Sequence, residues 1–244
     1  MKKILITGGT GTVGGEVLSQ LACAGQSIRA MVRNPEMAKV PNGVELVAGD
    51  LTRPETLAHA LEGMDVLFLV WTAPSEAAEA AIECIRKTVP RVVFLTAPIK
   101  TQHPLFQASL PNAMSLLNGK IEELIESSGL DWTFLRPGMF AANSAEWWAP
   151  QIRAGDLVRW AYLETPTAPV DEHDMAAVAV RALIEDSHAK KEYVITGPES
   201  LTQREQIQII GDAIGKNFVL RKFHRRKQNQ NGRASCLNLS FICY

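Results

Sequence analysis

The sequence predicts a doubly wound, parallel α/β sheet with a small C-terminal lobe, and three observations carry that fold class. Short apolar runs alternate with stretches of helical periodicity through the first 140 residues. Most of the runs are continuously apolar, as parallel strands covered by helices on both faces must be. The first run passes into the first helix through a glycine-rich turn. Such alternation marks βαβ units, and right-handed crossovers stack them into one sheet.

The strands are predicted at residues 3–7, 28–32, 44–47, 66–70, 92–95 and 132–135. Helices are predicted between them at 13–24, 54–61, 75–88 and 114–128. In the last of these, Leu117, Ile121, Leu124 and Ile125 share one face at helical spacing, and Gly129 supplies a stop. Beyond Leu135 the pattern loosens. Arg136-Pro137-Gly138 is expected to break the strand, and a Trp-rich connection with Trp147, Trp148 and Trp160 follows. A helix at 174–184, a short strand at 192–196 and a helix at 202–214 stopped by Gly215 complete a small lobe, expected over the open end of the sheet.

Composition bounds the function. With 46% hydrophobic residues the chain can bury a sizeable core. A formal net charge of −1 argues against a dedicated nucleic-acid binder. The balance is uneven, however. No Asp or Glu follows Asp212, while seven of the 25 basic residues lie beyond it, so residues 1–212 carry about −8. From Lys222 the text is basic and aperiodic; a poorly ordered or aberrant terminus is the expectation, with an interaction tail the alternative. Cys23, Cys84, Cys236 and Cys243 form no C-x-x-C pair, which disfavours a disulfide framework or a zinc site and fits a reducing cytosol. The longest apolar stretch, residues 66–71, is far below the roughly 20 residues of a membrane helix. A cytoplasmic protein with no membrane partner is expected.

The strongest motif is Thr7-Gly8-Gly9-Thr10-Gly11-Thr12-Val13-Gly14, a G-x-x-G-x-x-G between a strand and a helix. Gly8 permits a tight turn, Gly11 lets the backbone approach a pyrophosphate, and Gly14 lets the helix pack closely on the sheet. The helix N-terminus offers free N–H groups and partial positive charge. Thr10 and Thr12 can add hydroxyl donors. A nicotinamide dinucleotide is the ligand this combination implies. The next strand ends at Arg33, 19 positions after Gly14, where an NAD-selective site usually carries an acid. A guanidinium there suits a 2′-phosphate, so NADP(H) is preferred and NAD(H) is the alternative; the competing reading is a solvated surface Arg.

TGGTGTVG, MVRNP around Arg33, AGDL around Asp50 and LIESSGLDWTFLRPGMF at 124–140 resemble the NmrA-like group. These are atypical members of the short-chain dehydrogenase/reductase superfamily. The resemblance runs over residues 1–220 and implies a Rossmann core at 1–140, a substrate-side lobe at 141–221 and a tail at 222–244. It implies that Gly8, Thr10, Gly11, Thr12, Val13 and Gly14 contact the pyrophosphate, Arg33 the 2′-phosphate, and Asp50 and Leu51 the adenine. Pro137 and Gly138 would end a strand near the nicotinamide. Chains of the group usually continue past the position of Phe223, so the resemblance implies a small lobe that would be incomplete here.

The classical Y-x-x-x-K pair is absent: Pro166 and Gly197 stand four residues beyond Tyr162 and Tyr193, and Tyr244 is the last residue. The superfamily pattern places Asn118 and Glu122 at the Tyr and Lys positions, i and i+4 on one helix face. The group often carries His and Glu there, so Asn118 departs even from that variant. Asn118, Glu122 and His103, the last in the loop after the fifth strand, are the catalytic candidates, with a surface position the alternative for Glu122. His173, in VDEHDMA before a helix, is read as structural, with Asp171 or Glu172 capping that helix. Phe140, Trp147, Trp148 and Trp160 either floor an apolar pocket or pack a core. No histidines stand at metal-ligand spacing, and neither a G-x-S-x-G elbow nor a P-loop lysine is present.

These features predict an NADPH-dependent reductase of a small conjugated acceptor such as a quinone or an enone. A non-catalytic redox sensor with a protein partner is the alternative, and a sugar-nucleotide epimerase or dehydratase a weaker one.

Overall fold

A computed structural model describes residues 1–98 and 113–223. They fall into two compact units: residues 1–138 with 172–195, and residues 139–171 with 196 onward.

The first unit is a parallel sheet with helices on both faces. Its elements run β1 (Lys3–Thr7), α1 (Thr12–Cys23), β2 (Ser27–Val32), β3 (Glu45–Ala48), α2 (Pro54–Leu61), β4 (Val66–Val70), α3 (Ala78–Thr88), β5 (Arg91–Leu95), α4 (Ala113–Ser127) and β6 (Asp131–Pro137). After the excursion through the second unit come α6 (Glu172–Ile184) and β9 (Lys191–Ile195). Seven strands pair in the order β3-β2-β1-β4-β5-β6-β9, every neighbour parallel. Winding reverses between β1 and β4. In a sheet of this kind the crevice for ligands opens beyond the carboxyl ends of those two strands.

Strand alternation divides the core between the two faces. Leu5, Leu67, Leu69, Val92, Phe94 and Phe134 pack with residues of α2, α3 and α4, among them Leu57, Ile82, Ile85, Ile121 and Ile125. α1 and α6 pack against each other.

Two expectations need correcting. The sequence reading closes the sheet domain at residue 140 and assigns the helix and strand near 174–196 to the small lobe. α6 and β9 instead belong to the sheet unit, because β9 pairs along β6 from Thr133↔Lys191 to Pro137↔Ile195. Nor does Arg136-Pro137-Gly138 break β6. The strand runs through Pro137, and Gly138 N donates to Ile195 O (2.9 Å), continuing the ladder one residue past the proline's missing N–H.

The second unit contains α5 (Asn143–Ala154), β7 (Leu157–Trp160), β8 (Pro166–Thr167), β10 (Leu201–Thr202), α7 (Gln203–Ile214) and β11 (Val219–Lys222). β7 pairs with β11 in parallel, and β8 with β10 antiparallel. Its core is Trp148, Val158, Trp160, Leu163 and Ile207. Trp147 stacks on Trp160 at 5.6 Å, and Trp148 meets Trp160 edge-on at 5.9 Å. Of the two readings of the tryptophans, core packing is the one observed. Lys222, the first residue of the expected tail, is the last residue of β11. Residues 224–244 of the tail and His103 lie outside the described residues.

No helix among the described residues is long and apolar enough to cross a membrane. No group of three metal-ligating side chains occurs among them either.

Candidate dinucleotide site

β1 delivers the chain to the crevice and must reverse it into α1 within four residues. Gly8 makes the turn in the left-handed region, at φ +68°, where a Cβ would also stand 2.8 Å from Val70 Cβ. Gly11 N then donates to Gly8 O at 2.9 Å and closes the loop. Gly14 is the tightest position. A Cβ there would lie 2.2 Å from Gly8 O and 2.7 Å from Gly8 C, backbone atoms that cannot swing aside. The glycine spacing read in the sequence is therefore enforced by contact, with the first turn of α1 lying directly on the end of β1.

This geometry leaves an anion cradle. Gly11 is the N-cap of α1, with no side-chain cap and no acid in the first turn. The first intrahelical bond is Gly15 N to Gly11 O (2.8 Å). The amides of Thr12, Val13 and Gly14 thus have no intrahelical partner, and they carry the positive end of the helix dipole. Thr10, Gly11 and Thr12 are exposed, whereas the Val13 side chain is buried, so Val13 can offer a ligand its amide alone. Unused amides, an uncapped helix end and a surface stripped of Cβ atoms fit a pyrophosphate.

The second part of the site lies at the carboxyl ends of β2 and β3. Arg33 follows β2 and is exposed. Gly49 N donates to Val32 O at 3.0 Å, which sets Asp50 beside that strand end. The Asp50 carboxylate accepts from Thr52 N and Thr52 Oγ1, both at 2.8 Å, and Asp50 N donates to Thr56 Oγ1 at 3.0 Å. The two Thr52 bonds, aided by the charges of Arg53 and Arg33, hold the Asp50 carboxyl below its ordinary range. Leu51 packs into the sheet core, so Asp50 and the backbone are what this position offers to a base.

The third part, where the ends of β5 and β6 meet the side of α4, differs most from the sequence reading. Glu122 is neither a surface residue nor a free acid. It is 0% exposed, and Arg136 on β6 is 2% exposed. Arg136 Nη2 donates to Glu122 Oε2 at 2.8 Å and Nε to Oε1 at 3.2 Å, while Thr96 Oγ1 donates to Oε1 at 2.8 Å. Arg136 Nη1 also reaches Glu192 Oε2 at 2.6 Å. With three donors on it, the Glu122 carboxylate is occupied as a buried counter-ion, and a fork-on-carboxylate pair of this kind fixes orientation firmly. Asn118, one turn earlier, is buried as well, as is Pro137; Gly138 is half-buried.

Arg136 and Thr96 were not singled out by sequence reasoning. A signal for Arg136 exists: a cation inside Phe134-Leu135-Arg136-Pro137, on an otherwise apolar strand, needs a buried acid. His173 pairs through Nδ1 with Glu16 Oε1 at 2.7 Å and bonds Gln20, tying α6 to α1.

Comparison with known proteins agrees with this geometry. A family model described as NAD(P)H-binding matches residues 8–186. The chain is 37% identical over 220 residues to the (4-alkanoyl-5-oxo-2,5-dihydrofuran-3-yl)methyl phosphate reductase of Streptomyces griseus, covering 87% of this chain and 74% of that protein. It is 32% identical over 235 residues to the NAD(P)H azoreductase of Xenophilus azovorans, covering 94% and 80%. Among solved structures, the NADPH-dependent quinone oxidoreductase of Escherichia coli in complex with NADPH shares the fold, with a TM-score of 0.79 and 23% identity over 90% of this chain and 78% of that one. With the family model spanning most of the sheet unit and two relatives above 30% identity, the chain belongs to the NAD(P)H-binding family, an atypical branch of the short-chain dehydrogenase/reductase superfamily.

Proposed function

We propose that this chain is an NADPH-dependent oxidoreductase that reduces a small conjugated acceptor, such as a quinone or an enone. The observation that carries the reading is the cradle at the end of β1, where Gly14 has no room for a Cβ and the first amides of α1 have no intrahelical partner. Gly8, Thr10, Gly11, Thr12, Val13 and Gly14 would hold the pyrophosphate, and Arg33 the 2′-phosphate. Asp50 and the Leu51 backbone would face the adenine, and Pro137 and Gly138 the nicotinamide. The bound dinucleotide supplies a hydride; the protein supplies its position and the exclusion of water.

The choice of acceptor rests on chemistry. The classical tyrosine is replaced by Asn118, which has no acidic proton to give. Glu122 is committed to Arg136 and Thr96. A conjugated acceptor spreads the charge left by hydride transfer and takes its proton afterwards from water, so it needs little help from a side-chain acid. A simple ketone needs its alkoxide protonated and is disfavoured. The Streptomyces relative is named for a substrate that is itself a conjugated ring carbonyl, which supports the same direction.

The same two substitutions favour a second reading, a protein that binds NAD(P) and reports its redox state without turnover. Steady-state NADPH oxidation over a panel of quinones, enones and simple ketones separates the two. Saturable turnover of the conjugated members, lost in Gly14→Ala, is the expected result. Tight NADPH binding with no oxidation by any acceptor would leave the sensor reading in place of the reductase.

A further inference from the structure

The corner beyond β2 and β3 holds a second cation. Asp50 and Arg53 close a tight turn, with Arg53 N donating to Asp50 O at 3.0 Å, and Thr52 folds back on the Asp50 carboxylate within it. Arg53 is therefore fixed three residues along the chain from Asp50, at the N-cap of α2, where its side chain makes no capping bond. Arg33 lies on the same side of the sheet edge, at the carboxyl end of the adjacent strand, because Val32↔Ala48 is the last β2–β3 pair and Gly49 bonds back to Val32. The positive charges of both guanidinium groups act on Asp50, Arg53 ahead of Arg33. Both side chains are exposed, and no ion pair holds either one among the described residues.

The charge balance at this corner shows what Arg53 changes. Asp50 is ionised throughout the neutral range, so Arg33 alone would leave the three-residue corner electrically neutral. A neutral corner draws a dianion less strongly than a positive one does. With Arg53 the balance is positive by one charge, carried on two forked groups that can each donate to separate phosphate oxygens. A phosphomonoester carries about −1.5 to −2 at neutral pH and offers three acceptor oxygens, which suits two guanidinium groups better than one.

We propose that Arg53 is a second specificity-determining cation of this site, acting with Arg33 on the adenosine 2′-phosphate of NADPH. The assignment rests on the dinucleotide reading above and deepens it: Arg53 adds a second forked cation to the preference for the phosphorylated cofactor that Arg33 begins.

The test uses the full chain and two fragments of the cofactor, adenosine 2′,5′-bisphosphate and ADP, titrated calorimetrically at low and moderate salt. Arg53→Ala is expected to weaken the 2′,5′-bisphosphate about ten-fold, the scale of one hydrogen bond to a charged group, and ADP less than two-fold. The salt dependence of bisphosphate binding should flatten in the variant, and Arg53→Lys should restore part of the affinity as a point charge. Equal losses for both fragments would overturn the proposal in favour of Arg53 stacking on the adenine or supporting the fold, and unchanged binding of both would overturn it outright. A chain that binds ADP normally while ignoring Arg53→Ala refutes this assignment and leaves the cofactor site standing. A native chain that binds neither fragment refutes both.

Discussion

At the scale of single residues, the site is built from two kinds of necessity. Gly8 and Gly14 are required by the backbone itself, and that requirement was legible because turn, motif and contact all lie within seven residues of sequence. The Glu122–Arg136 pair is a different case. Glu122 alone is ambiguous, Arg136 alone carries no site reading, and their meeting depends on α4 lying across β6, which no local pattern announces. Burying two charges is costly, and the cost is offset when geometry is good and other donors complete the shell, as Thr96 does for Glu122. Removing one partner strands the other. Arg136→Met is therefore expected to destabilise the sheet unit by about 3–5 kcal/mol, measured by urea unfolding. The double variant Glu122→Leu with Arg136→Met should recover most of that loss, since no fully buried charge is left uncompensated and Glu192, the other partner of Arg136, is half exposed. A single variant that costs less than about 1 kcal/mol would mean that the pair is solvated and has no such anchoring role.

Among whole elements, strong periodicity and clear ends were readable and weak ones were not. β1, β4 and α2 have the predicted limits, and the other sheet-unit elements differ by one or two residues, except that β6 extends two residues further and the first turn predicted for α3 is a separate 3₁₀ segment. α5 escaped notice for a physical reason: its N-cap is Ala142, which makes no side-chain capping bond, and it carries Pro150 inside it. α7, by contrast, announces itself with Thr202 and Glu205 in a reciprocal capping box and Gly215 at φ +68° behind it. On α3, Glu83 is clasped one turn on by Arg86 and Lys87. Arg86 above all, through its hydrogen bonds, and Lys87 after it push the Glu83 carboxyl down to about 2. A carboxyl depressed in the folded state contributes stability at pH above its unfolded range, and that contribution is lost as pH falls through the folded value. Because the clasp is exposed to water, little global stability follows from it. Its signature is local. A carboxyl-carbon NMR titration should place the Glu83 midpoint near 2, and Arg86→Met should move it back toward the ordinary range near 4.5. A native midpoint already in that range would show that the clasp does not persist in solution.

For the whole molecule, the feature hardest to read was the return of the chain to its own sheet. The first unit is interrupted after Gly138 and completed by Glu172–Ile195. Strand pairing says nothing in sequence about a partner more than fifty residues away, so a linear reading closed the domain too early. The returning segment is held at both of its parts. β9 covers the open edge of β6, and the end of α6 receives two cations, with Arg91 Nη2 on Ala182 O at 2.5 Å and Lys2 Nζ on Asp186 at 2.5 Å. Cations at a helix C-terminus complement its dipole. A ligand seated at the end of β1 therefore draws on an element order that spans residues 3 to 195, and it must stabilise that unit as one body if it binds the folded state alone. At one hundred times its dissociation constant, the linkage amounts to about 2.7 kcal/mol. For a unit of this size each kcal/mol moves the melting temperature by about 2–4 °C. NADPH at that concentration is thus expected to raise the melting temperature of the sheet unit by roughly 5–11 °C in a thermal-shift experiment. NADH at the same concentration should raise it less, because Arg33 and Arg53 have no 2′-phosphate to engage. In Gly14→Ala both shifts should vanish, since the new methyl group can be housed only by moving the backbone of Gly8 that shapes the cradle. Equal shifts from both cofactors would remove the preference for NADPH while keeping the site, and no shift from either would remove the site itself.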